Sequence, residues 1–506
     1  MIDISNRKEC FFDDFLIDRE KTTAPSVINN PRPEQIVMEF NMDWETNTSY
    51  IHFFYDEGIY RMYYIAWNRD KYIEAHEKKI ESDHKKIRCC YMESRDGINW
   101  ERPNLGLYQW MGDKNNNIIF MADWLDNFYV FKDENPNCPK DKKYKATART
   151  EDGLIYYVSG DGIHFEFGGD ITNKGAFDTM NVIFWDKQIN KYRGYIRSFH
   201  NIPIEGGGDY LDYVRQRSSD NLRVIPGFDT DDEHAQGAGV LNLGTRDIRY
   251  IESDDFVNWS EPKLLDFGSK SDIPLYTNCV SPYPGAEHIY VGFPTRYTER
   301  NSWSKSFDVL CGKEQRLYKM EHHAKRMGLA ITDCLFMASR DGLNFKRYDK
   351  AYFRNGPETE FNWIYGDCYP AKGFAVTKSK FEGADDELCM FCPEYTKKCD
   401  VLRRYAQRMD GFVSLHADEE EKVVVTKPFV FEGNSLYANM ATSSAGYMYF
   451  ELKADDGTTI KSCEMFGDST GKKIGFDDDL SKLSGKEVVL TVTICDGDLY
   501  SVKFDK

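Results

Sequence analysis

The chain has 506 residues, of which 41% are hydrophobic and 15% aromatic, including 32 Tyr and 33 Phe. That is ample for a large core, and the aromatic excess suits sheets better than helical bundles. A formal net charge of -18 argues against nucleic acid and anionic membranes as partners, and no apolar run reaches the roughly 18 residues of a membrane helix.

The first ten residues, Met1 to Cys10, contain no apolar stretch of the kind a secretory signal needs. The 13 cysteines are an odd number with no small-framework spacing. Cys89, Cys90, Cys279, Cys334 and Cys368 lie in apolar runs and read as reduced core thiols. The expected location is the cytoplasm, although a secreted chain after signal removal would look the same.

In chain order, residues 11–17 predict a short strand, followed by a Pro-containing connector. Sets of four strands follow. The first comprises 50–55, 60–66, 87–94 and a strand from Trp100; the second 128–132, 144–149, 154–158 and 165–167. The third comprises 182–185, 192–197, 248–251 and a strand from Trp259; the fourth 279–282, 289–294, 334–338 and 345–348. A fifth set takes 369–376, 387–392 and two strands near Arg404 and Phe412.

Four of these sets share a third-to-fourth turn. The copies are Ser94-Arg95-Asp96-Gly97-Ile98-Asn99-Trp100, Ser159-Gly160-Asp161-Gly162-Ile163-His164-Phe165, Ser253-Asp254-Asp255-Phe256-Val257-Asn258-Trp259 and Ser339-Arg340-Asp341-Gly342-Leu343-Asn344-Phe345. Ser and Asp side chains accept from turn amides, Gly supplies positive φ, and the aromatic starts the returning strand. Repeated four-strand units of this kind predict a five-bladed β-propeller. From about residue 410 the texture changes to alternating strands at 423–431, 446–452, 487–492 and 499–504 with turns at Asp456-Gly457 and Asp496-Gly497, which predicts a β-sandwich. The reading is thus all-β: an N-terminal segment 1–40 that packs on the sandwich, a propeller at 41–405 and a sandwich at 406–506.

The second-to-third connections are long at 69–86, 200–247 and 298–333 but short at 150–153. Long loops in a compact domain are usually functional. In an up-and-down blade they lie on the face where strand one begins, opposite the Ser-x-Asp turns. Gly206-Gly207-Gly208 reads as a lid hinge or a plain flexible insertion.

The loop-bearing face collects Trp44-Glu45, Asp126-Asn127, Asp178 with Asn181, Asn278, Glu360, Arg197, Arg296, Asp333 and Glu394. Glycosidic cleavage needs two carboxyl groups at controlled separation. Asp178 is the leading candidate, because a charge leading straight into an inner strand needs a polar funnel; the alternative is a turn cap. Glu45 and Asp333 are the other catalytic candidates, against an exposed surface glutamate and a strand cap. Arg197, Arg296, Asn181, Asn278, Glu360, Glu394 and Trp44 are the substrate-binding candidates. Structural ion pairs and blade packing explain the arginines and Trp44 equally well. The ten histidines show no metal-ligand spacing, His322 and His323 being merely adjacent, and no nucleophile elbow, phosphate loop or dinucleotide fingerprint occurs. No metal and no cofactor is expected.

The turn around Ser253, Asp255 and Trp259 resembles the Ser-x-Asp-(Leu/Phe)-x-x-Trp signature of five-bladed propeller glycosidases of glycoside hydrolase families 32 and 43. A propeller followed by a sandwich is similar to the family 32 layout. The resemblance implies an acidic triad in separate blades. The Asn-Asp-Pro-Asn-Gly, Arg-Asp-Pro and Glu-Cys motifs of family 32 are missing from the blade positions concerned, so only position type carries over, to Glu45 and Asp178. The expected function is an exo-acting glycoside hydrolase on an oligosaccharide or furanoside. A glycoside phosphorylase and a non-catalytic carbohydrate-binding propeller are the alternatives. The expected partner is a small carbohydrate, with self-association into a homo-oligomer left open.

Overall fold

A computed structural model describes residues 2–200, 245–300, 303–322 and 325–505. Among them, the strands form five blade sheets and one separate ten-stranded sheet. The chain is a five-bladed β-propeller. Blade one runs Ser49–Asp56, Ile59–Ala66, Ile87–Ser94 and Ile118–Ala122; blade two Phe128–Lys132, Tyr144–Arg149, Leu154–Ser159 and Glu166–Thr172. Blade three runs Val182–Asp186, Lys191–His200, Thr245–Ser253 and Lys263–Leu264. In blade four, Phe293-Pro294 breaks the second strand into Ala286–Gly292 and Thr295–Glu299, between Ser281–Tyr283 and the outer pair Ala330–Ser339 and Lys346–Phe353.

The fifth blade corrects the sequence reading. Its first three strands are Ala375–Thr377, Glu387–Tyr395 and Asp400–Arg408, but the fourth is Arg32–Phe40 from the N-terminal segment. Pro33 is tolerated there because the outermost strand is a sheet edge. The strand expected near Phe412 is Val413–Ala417, which pairs with Ser26–Ile28 in the other sheet. First and last parts of the propeller thereby share one blade and close the ring.

That ten-stranded sheet is built on two long partners, Ser435–Ala454 and Glu487–Asp505, antiparallel along most of their length with a register shift between Thr442 and Tyr447. Ile2–Ser5 and Lys8–Cys10 also join it. Its core is a separate cluster in which Ile4, Phe11, Leu16 and Ile17 pack with Phe450, Val492 and Phe504. Among the described residues no helix is long and apolar enough to cross a membrane.

The four Ser-x-Asp turns are superposable hydrogen-bond units. In the first, Ser94 Oγ accepts from the Gly97 amide at 2.9 Å, and Asp96 Oδ1 accepts from the Ile98 and Asn99 amides at 2.9 and 2.8 Å. The turn at Asp341 repeats these bonds. These amides hold the Asp96 carboxyl down to about 2 despite an opposing burial effect. Each turn also docks on the preceding blade. Tyr63 Oη donates to Gly162 O at 3.1 Å, and Tyr195 Oη to Gly342 O at 2.8 Å. A Cβ at 342 would collide with the Arg193 guanidinium, so glycine is required. Blade three departs from Gly: Phe256 takes φ of 66° there, and its ring meets Tyr156 and Tyr192 at 4.8 Å each.

A second repeated contact was not anticipated. The innermost strands of blades one to three end in Asp56, Asp133 and Asp186, buried at 1%, 5% and 1% exposure. Each binds a basic residue of its own second strand and a tyrosine of the next blade. Asp186 takes Arg193 Nε at 2.6 Å and Tyr290 Oη at 2.6 Å. Asp133 takes Lys145 and Tyr192 Oη, the latter at 2.8 Å, and Asp56 pairs with Arg61 at 3.7 Å and accepts from Tyr144.

These two contacts rank differently in energy. Asp186→Ala strands a buried guanidinium and a buried phenol, so it is expected to lower unfolding free energy by about 3–5 kcal/mol. Asp341→Ala removes an exposed cap and is expected to cost about 1 kcal/mol. Urea denaturation of both variants checks the order, and a larger loss at Asp341 would contradict it.

Candidate active site

Gly175 to Asn181 lead into the innermost strand of blade three and make the most constrained turn on the axis. Phe177 adopts φ of 55°, a left-handed conformation costly for a residue with a side chain. Its carbonyl accepts from Asn127 Nδ2 and Asn181 Nδ2, both at 2.9 Å. Asn181 Nδ2 also donates to Thr179 O at 2.8 Å, while its Oδ1 accepts from the Arg197 amide at 3.0 Å. Tyr50 and Cys279 take similar positive φ at or just before strand one of blades one and four, and Cys368 does so in the segment leading to blade five. Strain thus recurs around one end of the axis.

Asp178 sits at the tip of that turn. Its carbonyl accepts from Tyr50 Oη at 3.2 Å and Tyr276 Oη at 3.0 Å. The carboxylate is ion-paired with Arg197. Arg197 is buried, with its guanidinium 4.3 Å from the Phe199 ring centroid and 4.9 Å from that of Tyr276. An arginine held between two rings presents its charge from a fixed place, and burial strengthens its interaction with the carboxylate.

This turn opens into a cavity of about 680 Å³ on the propeller axis, within the range of small-molecule sites. Asp178, Tyr50, Tyr276, Tyr365 and Tyr369 contribute to its wall, with Trp67 and Trp124. Six carboxylates line it: Asp70, Asp123, Asp126, Asp178, Glu360 and Asp400. Arg149 Nη1 binds Asp126 Oδ2 at 3.0 Å. The inserted connections of blades one and four are helical, as Arg69–Glu77 and, principally, Lys313–His322. They meet where Tyr318 Oη donates to Asp70 Oδ2 at 3.2 Å, and Gln315, Tyr318 and Lys319 face the cavity. The Ser-x-Asp turns lie at the other end of the strands: Ser94 pairs with Tyr60, whereas the cavity-lining Ile65 pairs with Ser49 and Cys89.

The structure separates the predicted residues into two groups. Asp178, Glu360 and Arg197 are at or immediately beside the cavity. Asn181 supports the Asp178 turn from below, and Asn278, also buried, donates to Tyr195 O at 3.2 Å and accepts from the Val280 amide. Glu45 lies elsewhere, fully buried between blades one and five, where Arg102 Nε donates to it at 2.8 Å and Tyr64 also binds. Trp44 beside it donates to Asn117 Oδ1 at 2.8 Å. Asp333 forms a two-armed ion pair with Arg296 directly across the blade-four strands. Glu394 accepts from Arg403 Nε at 2.7 Å and Tyr405 Oη at 3.0 Å within blade five. Neither Glu45, Asp333 nor Glu394 lines the cavity. The expected hinge at Gly206-Gly207-Gly208 falls outside the described residues.

Two carboxyl groups on this side were not anticipated. Asp400 lines the cavity at the blade-five hairpin, and burial pushes its carboxyl above the ordinary value. Asp367 lies behind the wall, where burial pushes it up to about 6 and Asn355 Nδ2 donates to it at 2.9 Å. No motif marks either one. Among the described residues, no group of three His, Cys, Asp or Glu is placed to hold a metal ion.

No protein-family model matches the chain, and no curated protein matches it. Solved structures with some likeness include the Bombyx mori family 32 β-fructofuranosidase, 10% identical over 94% of this chain and 95% of that one, with a TM-score of 0.37. An N-acetylgalactosamine deacetylase from F. plautii in complex with blood group B trisaccharide is 11% identical over 75% and 94%, with a TM-score of 0.39. A Bacillus subtilis family 43 arabinoxylan arabinofuranohydrolase with cellotetraose is 11% identical over 92% and 96%, with a TM-score of 0.26. Two of these belong to the families named from the Ser-x-Asp turn. At these values the likeness decides nothing about the chemistry of the cavity.

Asn181→Ala would delete three buried hydrogen bonds at once, to the Phe177 and Thr179 carbonyls and from the Arg197 amide, and only the Phe177 carbonyl keeps a second side-chain donor, in Asn127. A loss of about 3 kcal/mol is expected at roughly 1 kcal/mol per bond, read by urea denaturation. A change within 0.5 kcal/mol, the ordinary surface range, would show that the turn holds without it.

Proposed function

We propose that the protein is an exo-acting glycoside hydrolase on an oligosaccharide or furanoside. The observation that carries this reading is an axial cavity in which a carboxylate on a strained, hydrogen-bonded turn faces a wall of tyrosines and tryptophans. Aromatic faces suit the apolar faces of sugar rings, and carboxylates and amides suit their hydroxyls. The Asp70–Tyr318 contact across the mouth supports attack at a chain end rather than along an open groove.

In this reading Asp178 is the reacting carboxylate. Its ion pair with Arg197 aims it, either to take a proton from water or to attack the anomeric carbon directly. As the C–O bond breaks, a second carboxyl group protonates the departing oxygen. The net change is one glycoside and one water to one sugar and one alcohol. Phosphorolysis is less well supported: Arg149 and Arg197 already face carboxylates, so neither is left to hold a phosphate dianion. We read the ten-stranded sheet as a two-layered sandwich buttressing blades four and five. The 13 unpaired thiols fit a reducing, cytoplasmic setting.

Asp178→Asn keeps the shape of the turn and removes its charge. Turnover of aryl glycosides is expected to fall by about 10²–10⁴-fold, with the melting temperature within a few degrees of wild type. Full activity in a folded variant contradicts the assignment. Sugar binding by the wild type without turnover of any glycoside would identify a binding protein instead.

A further inference from the structure

The structure assigns a proton donor for this reaction: we infer that Asp400, at the seam between blades five and one, protonates the departing glycosidic oxygen. The inference rests on the glycosidase reading and deepens it.

The argument is one of position and company. Asp70, Asp123 and Glu360 are exposed to solvent at the rim of the cavity. Asp126 and Asp178 are each committed to an ion pair with an arginine. Asp400 alone of the six lining carboxyl groups is half-buried with neutral hydrogen-bond donors: the Thr48 amide at 2.8 Å and Thr48 Oγ1 at 3.3 Å, both to Oδ2. Oδ1 makes neither of these bonds. The charged and titratable groups that face Asp400 are Lys319 on the blade-four helix and Tyr395 on its own hairpin, with Cys399 beside it in sequence. Burial outweighs Lys319 and the Thr48 bonds and raises its carboxyl. A group that must hold a proton at neutral pH and release it on demand needs that environment.

Its place is set by ring closure. Asp400 opens the third strand of blade five, paired with Tyr395 on one side and with Phe40 of the N-terminal strand on the other. Thr48 arrives from the start of blade one. The acid is therefore fixed only when the N-terminal strand completes the fifth blade.

In the step, the Asp400 O–H proton passes to the glycosidic oxygen as the C1–O bond breaks and its electron pair stays on oxygen. Water then adds to C1, directly or after Asp178 has formed an ester there, and its surplus proton returns to the carboxylates and solvent.

The test compares two glycosides of one sugar that the wild type turns over, one with a 2,4-dinitrophenyl leaving group and one with an alkyl leaving group. Dinitrophenolate leaves without a proton. Asp400→Asn is expected to lose about 10²–10⁴-fold in kcat/KM on the alkyl glycoside, with much less lost on the dinitrophenyl one, and to lose the basic limb of the pH profile. Asp178→Asn should lose on both. In a second variant, Thr48→Val removes a bond that favours the carboxylate, so the basic limb should move to higher pH. Equal losses on the two glycosides in Asp400→Asn, or an unmoved limb in Thr48→Val, overturn the assignment of Asp400 while leaving the glycosidase reading intact. Absence of wild-type turnover on both glycosides, across sugars, overturns the two together.

Discussion

A buried aspartate at the foot of an innermost strand ties each of the first three blades to its successor, and the site depends on those ties. A carboxylate in such a place is costly unless paired and hydrogen-bonded. Asp186 satisfies that demand with Arg193 from its own blade and Tyr290 from the next. The tyrosine reaches its acceptor only when the two blades are at the correct angle and height. Apolar packing between blades supplies most of the energy but tolerates sliding; the buried charge does not. The Ser-x-Asp turns add a second fixed point on the same face, through bonds such as Tyr195 to Gly342 O.

With one face pinned in this way, the opposite face is free to carry strain and insertions. Phe177 is held at positive φ by Asn127 and Asn181, themselves buried. Its neighbour Asp178 is thereby presented to a cavity whose roof comes from the inserted helices of blades one and four. Arg197 reaches the same carboxylate from the second strand of blade three. The turn and the second strand of blade three therefore meet at that carboxylate. The fold fixes Asp178 by fixing the residues on either side of it.

Much of the architecture was legible because its signals are local. An Asp-Gly turn between two apolar runs needs no distant partner, and four copies disclosed four blades. The fifth was harder: Arg32–Phe40 pairs with Asp400–Arg408 across nearly the whole propeller, and flanking prolines made it read as a connector. The tie at Asp186 had a faint signature in the dipeptides Tyr60-Arg61, Tyr144-Lys145 and Tyr192-Arg193, which start the second strands of three blades. In the site, Asp178 was legible as a charge leading into an apolar strand. Glu45 and Asp333 carry the same local signal, yet their partners Tyr64, Arg102 and Arg296 lie elsewhere in the chain. A single carboxylate in sequence does not reveal which cation it faces. Asp400, between Cys399 and Val401, has no distinguishing neighbour at all; only ring closure brings it to Thr48.

In the proposed reading, sugar is held on the axis, at the end opposite the Ser-x-Asp turns. A crystal structure of the Asp178→Asn protein soaked with an oligosaccharide tests it most directly. The account predicts a sugar ring in the cavity, stacked on a wall tyrosine or tryptophan, with its glycosidic oxygen between residues 178 and 400. Sugar bound only elsewhere, with the axial cavity empty, would contradict it.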